Sequence, residues 1–342
     1  MYALLLRSPA PLAANPEPLT IAEVPLPSPA SGQVRLRVSA CALCHTDLHI
    51  VEGDLPVPAL PLIPGHQVVG VVDAVGSGVR QVHEGDRVGL AWLSEADGTC
   101  PRCREGNENL CPHIRFTGYH VPGGYADAVV APAAFAYPLP TRYTDVDAAP
   151  LMCAGIIGYR ALRQAEVHPG QRIGLFGFGA SAHLAIQVAR HWDCEVYVFT
   201  RSPDHRDLSR ALGAAWAGGV DDHPPGEIDR GVVFAPSAAV VVGALKHLRR
   251  GGTLAINAIH LDRSLEIPYD SMYWERTIRS VANATRRDGH EFLALAADVP
   301  LEIVTTPVGF GAVNAALGQL KRGQVRGAAV LDLAAHGHRQ GG

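Results

Sequence analysis

Reactive side chains are concentrated between Cys44 and His49, where a thiol, two imidazoles, a hydroxyl and a carboxylate share a short stretch of chain. Two more candidate ligands stand far away in sequence: His66, which follows Gly65, and Cys153. Zinc prefers thiolate and imidazole ligands, and a catalytic zinc keeps its fourth tetrahedral position open beside three protein ligands. The sequence therefore predicts that Cys44, His66 and Cys153 close on one metal ion.

Close neighbours of Cys44 are candidates for catalytic work around such a metal. Asp47 is expected to accept a hydrogen bond from the second ring nitrogen of His66 and so to fix the tautomer of that ring. Thr46 could hydrogen-bond a bound hydroxyl group and pass its proton toward His49, whose ordinary pKa lies near neutrality. The alternative is that Cys44 is merely a small buried side chain and that the histidines lie on the surface or touch a cofactor.

A second cluster of potential ligands follows at Asp97, Cys100, Cys103 and Cys111. Close-set cysteines with glycines between them are typical of a structural zinc lobe, and zinc accepts a carboxylate oxygen in place of a fourth thiolate. We therefore expect an Asp-Cys₃ structural site. The alternative is a metal-free lobe with free thiols.

Composition excludes several classes of function. The chain has 342 residues, enough for two domains, and its formal net charge of −4 argues against nucleic acid as a partner. The apolar N-terminal run from Tyr2 to Leu6 is too short for a signal peptide core, and no stretch approaches the roughly 20 apolar residues of a membrane span. A cytoplasmic location is predicted, where clustered cysteines serve as metal ligands rather than as disulfides.

The N-terminal half has the pattern of a β-rich domain. Residues 33–40 alternate apolar and polar side chains, and residues 68–75 form a second apolar run closed by glycines. Four prolines between residues 56 and 64 exclude a helix there. A rigid proline-rich loop would hold His66 opposite Cys44.

A strand, a glycine-rich turn and a helix follow one another from Arg172 to His191. Gly177 would make the tight turn, Gly179 would let the backbone approach a pyrophosphate, and Ala182 would keep helix and strand close. The positive N-terminus of the helix would then face the phosphates. This arrangement predicts a dinucleotide-binding unit.

The next predicted strand, residues 195–200, ends in Thr200 and is followed by Arg201 and Ser202. Enzymes that use NAD usually carry Asp or Glu there, to bind the ribose 2′-hydroxyl. Two hydroxyls and a guanidinium suit a 2′-phosphate, so NADP(H) is favoured over NAD(H). The alternative is that Arg201 stacks on adenine and NAD is used.

Further elements complete a doubly wound sheet. Strands are expected at 231–235, 253–257 and 278–282, and helices at 205–212 and 238–249. The tail after about Ala334 is expected to fray.

With these motifs in this order, the chain resembles the zinc-dependent medium-chain alcohol dehydrogenases. The resemblance implies an α/β protein with a GroES-like β-barrel catalytic domain, residues 1–154 and 286–342, interrupted by a doubly wound Rossmann domain, residues 155–285. It implies a homodimer or homotetramer, and reversible oxidation of a small alcohol to an aldehyde or ketone by hydride transfer to the nicotinamide, with one catalytic and one structural zinc.

The resemblance also implies roles for individual positions. Cys44, His66 and Cys153 correspond to the catalytic zinc ligands, and Thr46 and His49 to the proton relay. Residues expected at the cofactor are His45, Gly177, Gly179, Ala180, Ala182, Thr200, Arg201, Ser202, Asn257 and Ile259. Trp92 stands where related microbial enzymes narrow the pocket for small alcohols.

Two positions depart from the family pattern. Gln67 replaces a glutamate that can act as a transient zinc ligand, which makes the local charge more positive by one unit. Asp97 replaces a cysteine of the structural lobe. The rival hypotheses are a zinc-free NADPH-dependent quinone or enone reductase of the same fold, which lacks this ligand set, and a non-catalytic nucleotide-binding protein with an idle site.

Overall fold

The computed structural model describes residues 1–333, so the predicted fraying of the tail falls outside the described residues. The chain divides into two compact units. The first comprises Met1–Cys153, Thr285–Asp298 and the chain from Ile303 onward, and the second comprises Ala154–Ala284 with Val299–Glu302. The assignment of these units to a catalytic and a nucleotide-binding domain remains a proposal.

The first unit is mainly β-structure. Its N-terminal part contains nine strands: β1 (Tyr2–Leu6), β2 (Leu19–Glu23), β3 (Gln33–Ala42), β4 (Gln67–Val75), β5 (Arg87–Leu90), β6 (Leu93–Glu95), β7 (Arg115–Phe116), β8 (Ala128–Pro132) and β9 (Ala136–Pro138). Its helices there are α1 (His45–Glu52), α2 (Pro101–Arg104) and α3 (Asp145–Ala148). Its C-terminal part adds α8 (Arg286–Asp298), β16 (Thr305–Val308), α9 (Val313–Lys321) and β17 (Ala328–Asp332).

One large sheet organises this unit, with strand order β16-β17-β3-β4-β5-β9 and with β8 also paired to β3. In β3, the fully buried Val34 and Leu36 alternate with more exposed arginines, as the period of two requires. The predicted strands at 33–40 and 68–75 are confirmed as β3 and β4. Because β3 ends two residues before Cys44 and β4 begins next to His66, adjacent antiparallel strands deliver both side chains to one end of the sheet.

The second unit has a six-stranded parallel sheet with helices between its strands. The strands are β10 (Arg172–Phe176), β11 (Glu195–Phe199), β12 (Trp216–Gly218), β13 (Ile228–Val233), β14 (Leu248–Ile256) and β15 (Thr277–Ser280). The helices are α4 (Ala154–Gln164), α5 (Ala180–His191), α6 (Pro203–Ala211) and α7 (Ala238–His247). The strand order β12-β11-β10-β13-β14-β15 is that of the doubly wound dinucleotide-binding fold.

Several element bounds differ from the sequence expectation. The helix expected at 238–249 ends at His247, because Leu248 already pairs with Ile228 as the first residue of β14. The strand expected at 231–235 begins earlier, at Ile228, and ends at Val233. None of the helices within residues 1–333 is long and apolar enough to cross a membrane.

Sequence reasoning missed α1, α4, α8 and α9. A local indication existed for α8, because Thr285 and Asp288 form a reciprocal cap: the Thr285 N–H donates to Asp288 Oδ2 at 2.9 Å, and the Asp288 N–H donates to Thr285 Oγ1 at 3.1 Å. Ser or Thr followed three residues later by an acidic residue is a recognised start of a helix.

Candidate active site

Cys44 is held at the start of α1 by a pair of side-chain caps. Its Sγ accepts the Thr46 N–H at 3.3 Å, and its own N–H donates to Asp47 Oδ2 at 2.9 Å. The capping residue has an extended backbone, with φ −145° and ψ 179°. Both hydrogen bonds fix the position of the thiol relative to the helix.

His66 is fully enclosed and lies between a thiol and a carboxylate. Its Nε2 is 3.4 Å from Cys44 Sγ, and its Nδ1 is 3.5 Å from Asp47 Oδ1. Gly65 precedes it with φ 93°, and a Cβ added there would come within 2.5 Å of the Tyr125 ring. The chain therefore needs glycine at position 65 to bring His66 into place.

Cys153 completes a three-residue cluster in the first unit. The ligand atoms of Cys44, His66 and Cys153 all lie within 4.8 Å of one another. Ligands around a tetrahedral zinc are separated by about 3.5–3.8 Å, given Zn–S and Zn–N bonds of about 2.3 and 2.0 Å. The donor set and its spacing thus fit a zinc ion, and the Asp47 carboxylate lies behind the imidazole, 3.5 Å from its Nδ1.

Burial and neighbouring groups shift the pKa values of both His66 and Cys44. Burial alone lowers the pKa of His66, but the charges of Cys44 and Asp47 outweigh it and raise this pKa to about 10. The hydrogen bond with Cys153 and burial raise the pKa of the Cys44 thiol well above its ordinary value.

Two further residues expected near this cluster are found beside it. The Trp92 ring lies edge-on to His66, with centroids 4.9 Å apart, and stacks on Phe116 at 4.7 Å. Gln67 is buried as the first residue of β4, directly after His66. Sequence reasoning missed Tyr125, whose fully buried ring fills the space beside Gly65.

Thr46 and His49 stand three residues apart on α1, so their side chains lie on the same side of the helix. Thr46 is buried, whereas His49 is 22% exposed, so the pair runs from the interior toward solvent. His45 is exposed on the same helix.

The four residues of the second predicted metal cluster also lie close together in the structure. One ligand atom from each of Asp97, Cys100, Cys103 and Cys111 lies within 4.8 Å of the others, and this is the other potential metal cluster within residues 1–333. Asp97 Oδ1 accepts the N–H groups of Thr99 and Cys100 at 2.8 and 2.9 Å, which lowers the pKa of Asp97 below its usual range. Burial and a hydrogen bond with Cys100 raise the pKa of Cys103 to about 12.

The glycine-rich turn of the second unit has the geometry that a pyrophosphate requires. Gly177 adopts φ 90°, and a Cβ there would lie 2.9 Å from the Ala235 nitrogen. Gly179 caps α5, and a Cβ added to it would meet open space, so the backbone is accessible at the helix N-terminus. Ala182 is fully buried, as expected for a residue that keeps helix and strand close.

The residues after β11 and β14 differ in accessibility. Thr200 is buried, Arg201 is exposed, and the Ser202 hydroxyl accepts the His205 N–H at 3.4 Å as the cap of α6. Asn257 follows β14 directly, and Ile259 is 61% exposed. These side chains lie at the carboxyl edge of the parallel sheet, where doubly wound folds bind nucleotides.

Comparison with known proteins agrees with this architecture. The family model of the alcohol dehydrogenase GroES-like domain matches residues 30–141, a stretch that contains Cys44, His66 and the Asp97 lobe. The probable alcohol dehydrogenase AdhA of Mycobacterium tuberculosis is 46% identical over 337 residues, which cover 97% of each chain. This chain belongs to the medium-chain alcohol dehydrogenase family.

Solved structures support the same fold for this alcohol dehydrogenase. A cinnamyl alcohol dehydrogenase of Sorghum bicolor superposes with a TM-score of 0.89 at 27% identity, covering 97% of both chains. A protein described as an NAD-dependent alcohol dehydrogenase superposes with a TM-score of 0.88 at 27% identity, covering 97% of this chain and 99% of the other. The predicted fold class, a GroES-like domain with a Rossmann domain, is confirmed.

Proposed function

We propose a zinc-dependent mechanism for this alcohol dehydrogenase, in which an alcohol and its aldehyde or ketone are interconverted by hydride transfer to or from a nicotinamide cofactor. Cys44, His66 and Cys153 would hold the catalytic zinc. The observation that carries the proposal is the convergence of their three ligand atoms within 4.8 Å. A bound zinc supplies Lewis-acid chemistry, by which the pKa of an alcohol is lowered and a carbonyl is polarised.

The chain's own residues prepare this site. Asp47 accepts the Cys44 N–H at 2.9 Å and lies 3.5 Å from His66 Nδ1, so one carboxylate stands beside two of the three ligands. The Thr46 hydroxyl accepts the proton that leaves the alcohol and passes its own proton to His49, which releases it to solvent. The backbone at the start of α5 binds the cofactor pyrophosphate and fixes the nicotinamide for hydride transfer.

Zinc per subunit, measured on protein purified without added metal or chelator, tests the proposal. Two zinc ions per chain would support zinc binding at both clusters. One zinc ion per chain, absent from the Cys44→Ala variant, would support zinc binding at the catalytic cluster alone. A zinc-free protein that folds and reduces an enone with NADPH would instead favour the quinone or enone reductase. Failure to turn over any alcohol or aldehyde despite bound cofactor would favour a non-catalytic protein.

The relay role of Thr46 gives a direct prediction. Thr46→Val keeps the shape of the buried side chain but removes the hydroxyl, so alcohol oxidation should fall by about 10²–10⁴-fold, the range for general acid–base groups. Thr46→Ser should retain most activity because it keeps the hydroxyl. Steady-state kinetics at saturating cofactor measure the effect, with zinc content as the control for an intact site. A fully active Thr46→Val enzyme would contradict the relay.

We also propose NADP(H) as the preferred cofactor, supported by Thr200, Arg201 and Ser202 after β11. A charge-assisted hydrogen bond contributes about 1.5–3 kcal/mol, so Arg201→Gln should raise KM for NADP(H) by about 10–100-fold and leave KM for NAD(H) nearly unchanged. Arg210→Gln, an exposed arginine later in α6, is the matched control. Equal losses with both cofactors would mean that Arg201 stacks on adenine instead.

A small alcohol or aldehyde is the proposed substrate, with Trp92 narrowing the pocket next to His66.

We propose a homodimer or homotetramer. Three aromatic side chains of the second unit, Tyr269, Tyr273 and Trp274, are exposed shortly before the edge strand β15, a feature that suits contact with another copy. Light scattering would determine the assembly. The cytoplasmic location stays a prediction.

A further inference from the structure

We propose that Asp54 is a positioning residue of the proton relay, which orients the His49 ring and fixes its tautomer. The inference rests on the proposed relay function of His49. It concerns a residue that the sequence motifs do not include.

The geometry is that of a hydrogen-bonded carboxylate–imidazole pair. His49 Nδ1 lies 2.9 Å from Asp54 Oδ2, within normal hydrogen-bond distance. The His49 side chain is 22% exposed and that of Asp54 is 56% exposed, so Asp54 lies on the solvent side of His49. Asp54 therefore contacts the relay at its outer end, away from buried Thr46.

The chain is built locally to bring Asp54 back to His49. Helix α1 ends at Glu52, and Gly53 adopts φ 85°, a left-handed conformation that reverses the chain. The Gly53 N–H donates to the Ile50 carbonyl at 3.3 Å, and the Leu55 N–H donates to the His49 carbonyl at 3.1 Å. Because backbone bonds on both sides tie Asp54 to the last helical turn, its carboxylate returns to the imidazole of His49.

Other charged groups of α1 have partners of their own. Asp47 faces His66 and the Cys44 N–H, and Glu52 accepts the Leu12 N–H at 2.8 Å and pairs with Lys321 of α9. Asp54 is the carboxylate whose oxygen lies within hydrogen-bond distance of the His49 ring, at 2.9 Å.

This pairing assigns different tasks to the two ring nitrogens. A neutral imidazole that donates its Nδ1 proton to Asp54 must carry its lone pair on Nε2, so Nε2 is the ring atom left to take up the relayed proton. Each transfer forms one O–H or N–H bond as another breaks, and the final proton goes to water. The hydrogen bond to Asp54 thereby favours the tautomer that can accept a proton at Nε2.

Asp54→Asn separates this role from a merely structural one. Exposed ion pairs contribute little to stability, so Tm should stay within about 2 °C of the wild type. The kcat for alcohol oxidation should fall about 3–30-fold. In ¹⁵N spectra of full-length protein, the His49 ring should change from one tautomer, protonated on Nδ1, to a mixture of both tautomers.

Two variants make the test decisive. Asp86→Asn is the matched control, because Asp86 pairs with exposed His83 at 3.6 Å on the surface of the same unit, and we expect no change in kcat. His49→Gln should lower kcat further, and adding Asp54→Asn to it should have no additional effect, because both act through one ring.

The outcomes distinguish the relay from the positioning role. If His49→Gln lowers kcat while Asp54→Asn leaves both kcat and the ¹⁵N signals of the His49 ring unchanged, the relay stands and the inference about Asp54 is overturned. If His49→Gln has no effect, the proposed relay itself is wrong. If Asp54→Asn lowers kcat equally in the presence and absence of His49, Asp54 does not act through the imidazole, and the inference is again overturned.

Discussion

Replacing Cys44 by serine or His66 by alanine is expected to reduce alcohol oxidation by about 10³-fold or more while nucleotide binding persists. Each change removes one of three converging ligands, and the Lewis-acid contribution of a catalytic metal is several kcal/mol of the barrier. The glycine-rich turn and α5 belong to the second unit and are built from other residues, so cofactor binding does not depend on these ligands.

Turnover, zinc content and cofactor binding should be measured together on each variant. Both variants should lose one zinc ion per chain and still quench or enhance NADPH fluorescence on binding. Cys194→Ala is the matched control, because Cys194 is a free buried thiol of the second unit outside both clusters, and it should retain full activity and zinc. Near wild-type activity in either ligand variant would refute the zinc mechanism.

The ligand set could be predicted because its chemistry is carried by residue type. Cys44, His66 and Cys153 are distant in sequence, yet few combinations of thiol and imidazole in this order serve another purpose. The strands that bring Cys44 and His66 together were also visible, since runs of apolar residues mark β3 and β4 directly.

The hydrogen bonds and packing contacts that hold these ligands in place could not be predicted from sequence patterns. The bond from Cys44 N–H to Asp47 requires α1 to begin at His45, and the polar motif itself does not indicate a helix. The Tyr125 ring packs beside Gly65, although the two residues are far apart in the sequence. No periodic pattern in the sequence reveals such a contact. The pairing of Asp54 with His49 depends on one left-handed residue, Gly53, whose conformation becomes meaningful only once the helix end is known.

The point at which the chain returns to the first unit could not be predicted from local sequence patterns either. The segment Val299–Glu302 groups with the second unit, where Gln187 of α5 donates from Nε2 to the Glu302 carbonyl at 2.9 Å and accepts the Glu302 N–H at Oε1 at 2.8 Å. Such a pairing spans more than a hundred residues and leaves no trace in composition. By contrast, the cap of α8 by Thr285 and Asp288 is local, and a search for capping pairs would have found that helix.

The Asp97 lobe gives the second large prediction. Cys103→Ser and Asp97→Ala are each expected to remove one zinc ion per chain and to lower Tm by roughly 10 °C, because metal binding to such a lobe contributes directly to its folding. Asp97 suits the role despite replacing a thiolate. Its Oδ1 is held by two backbone N–H groups, which keep the carboxylate ionised and leave Oδ2 for the metal.

Asp97→Cys is the matched variant, since it restores a fourth thiolate and should keep both the zinc and the Tm. Metal analysis with thermal melts in the presence and absence of a chelator measures the effect, and kcat per remaining active site should change little. If Asp97→Ala retains two zinc ions per chain and the wild-type Tm, Asp97 is not a ligand and the three cysteines bind the metal without it. If wild-type protein contains one zinc that Cys103→Ser does not remove, the lobe folds on its hydrogen bonds alone and does not hold a zinc ion.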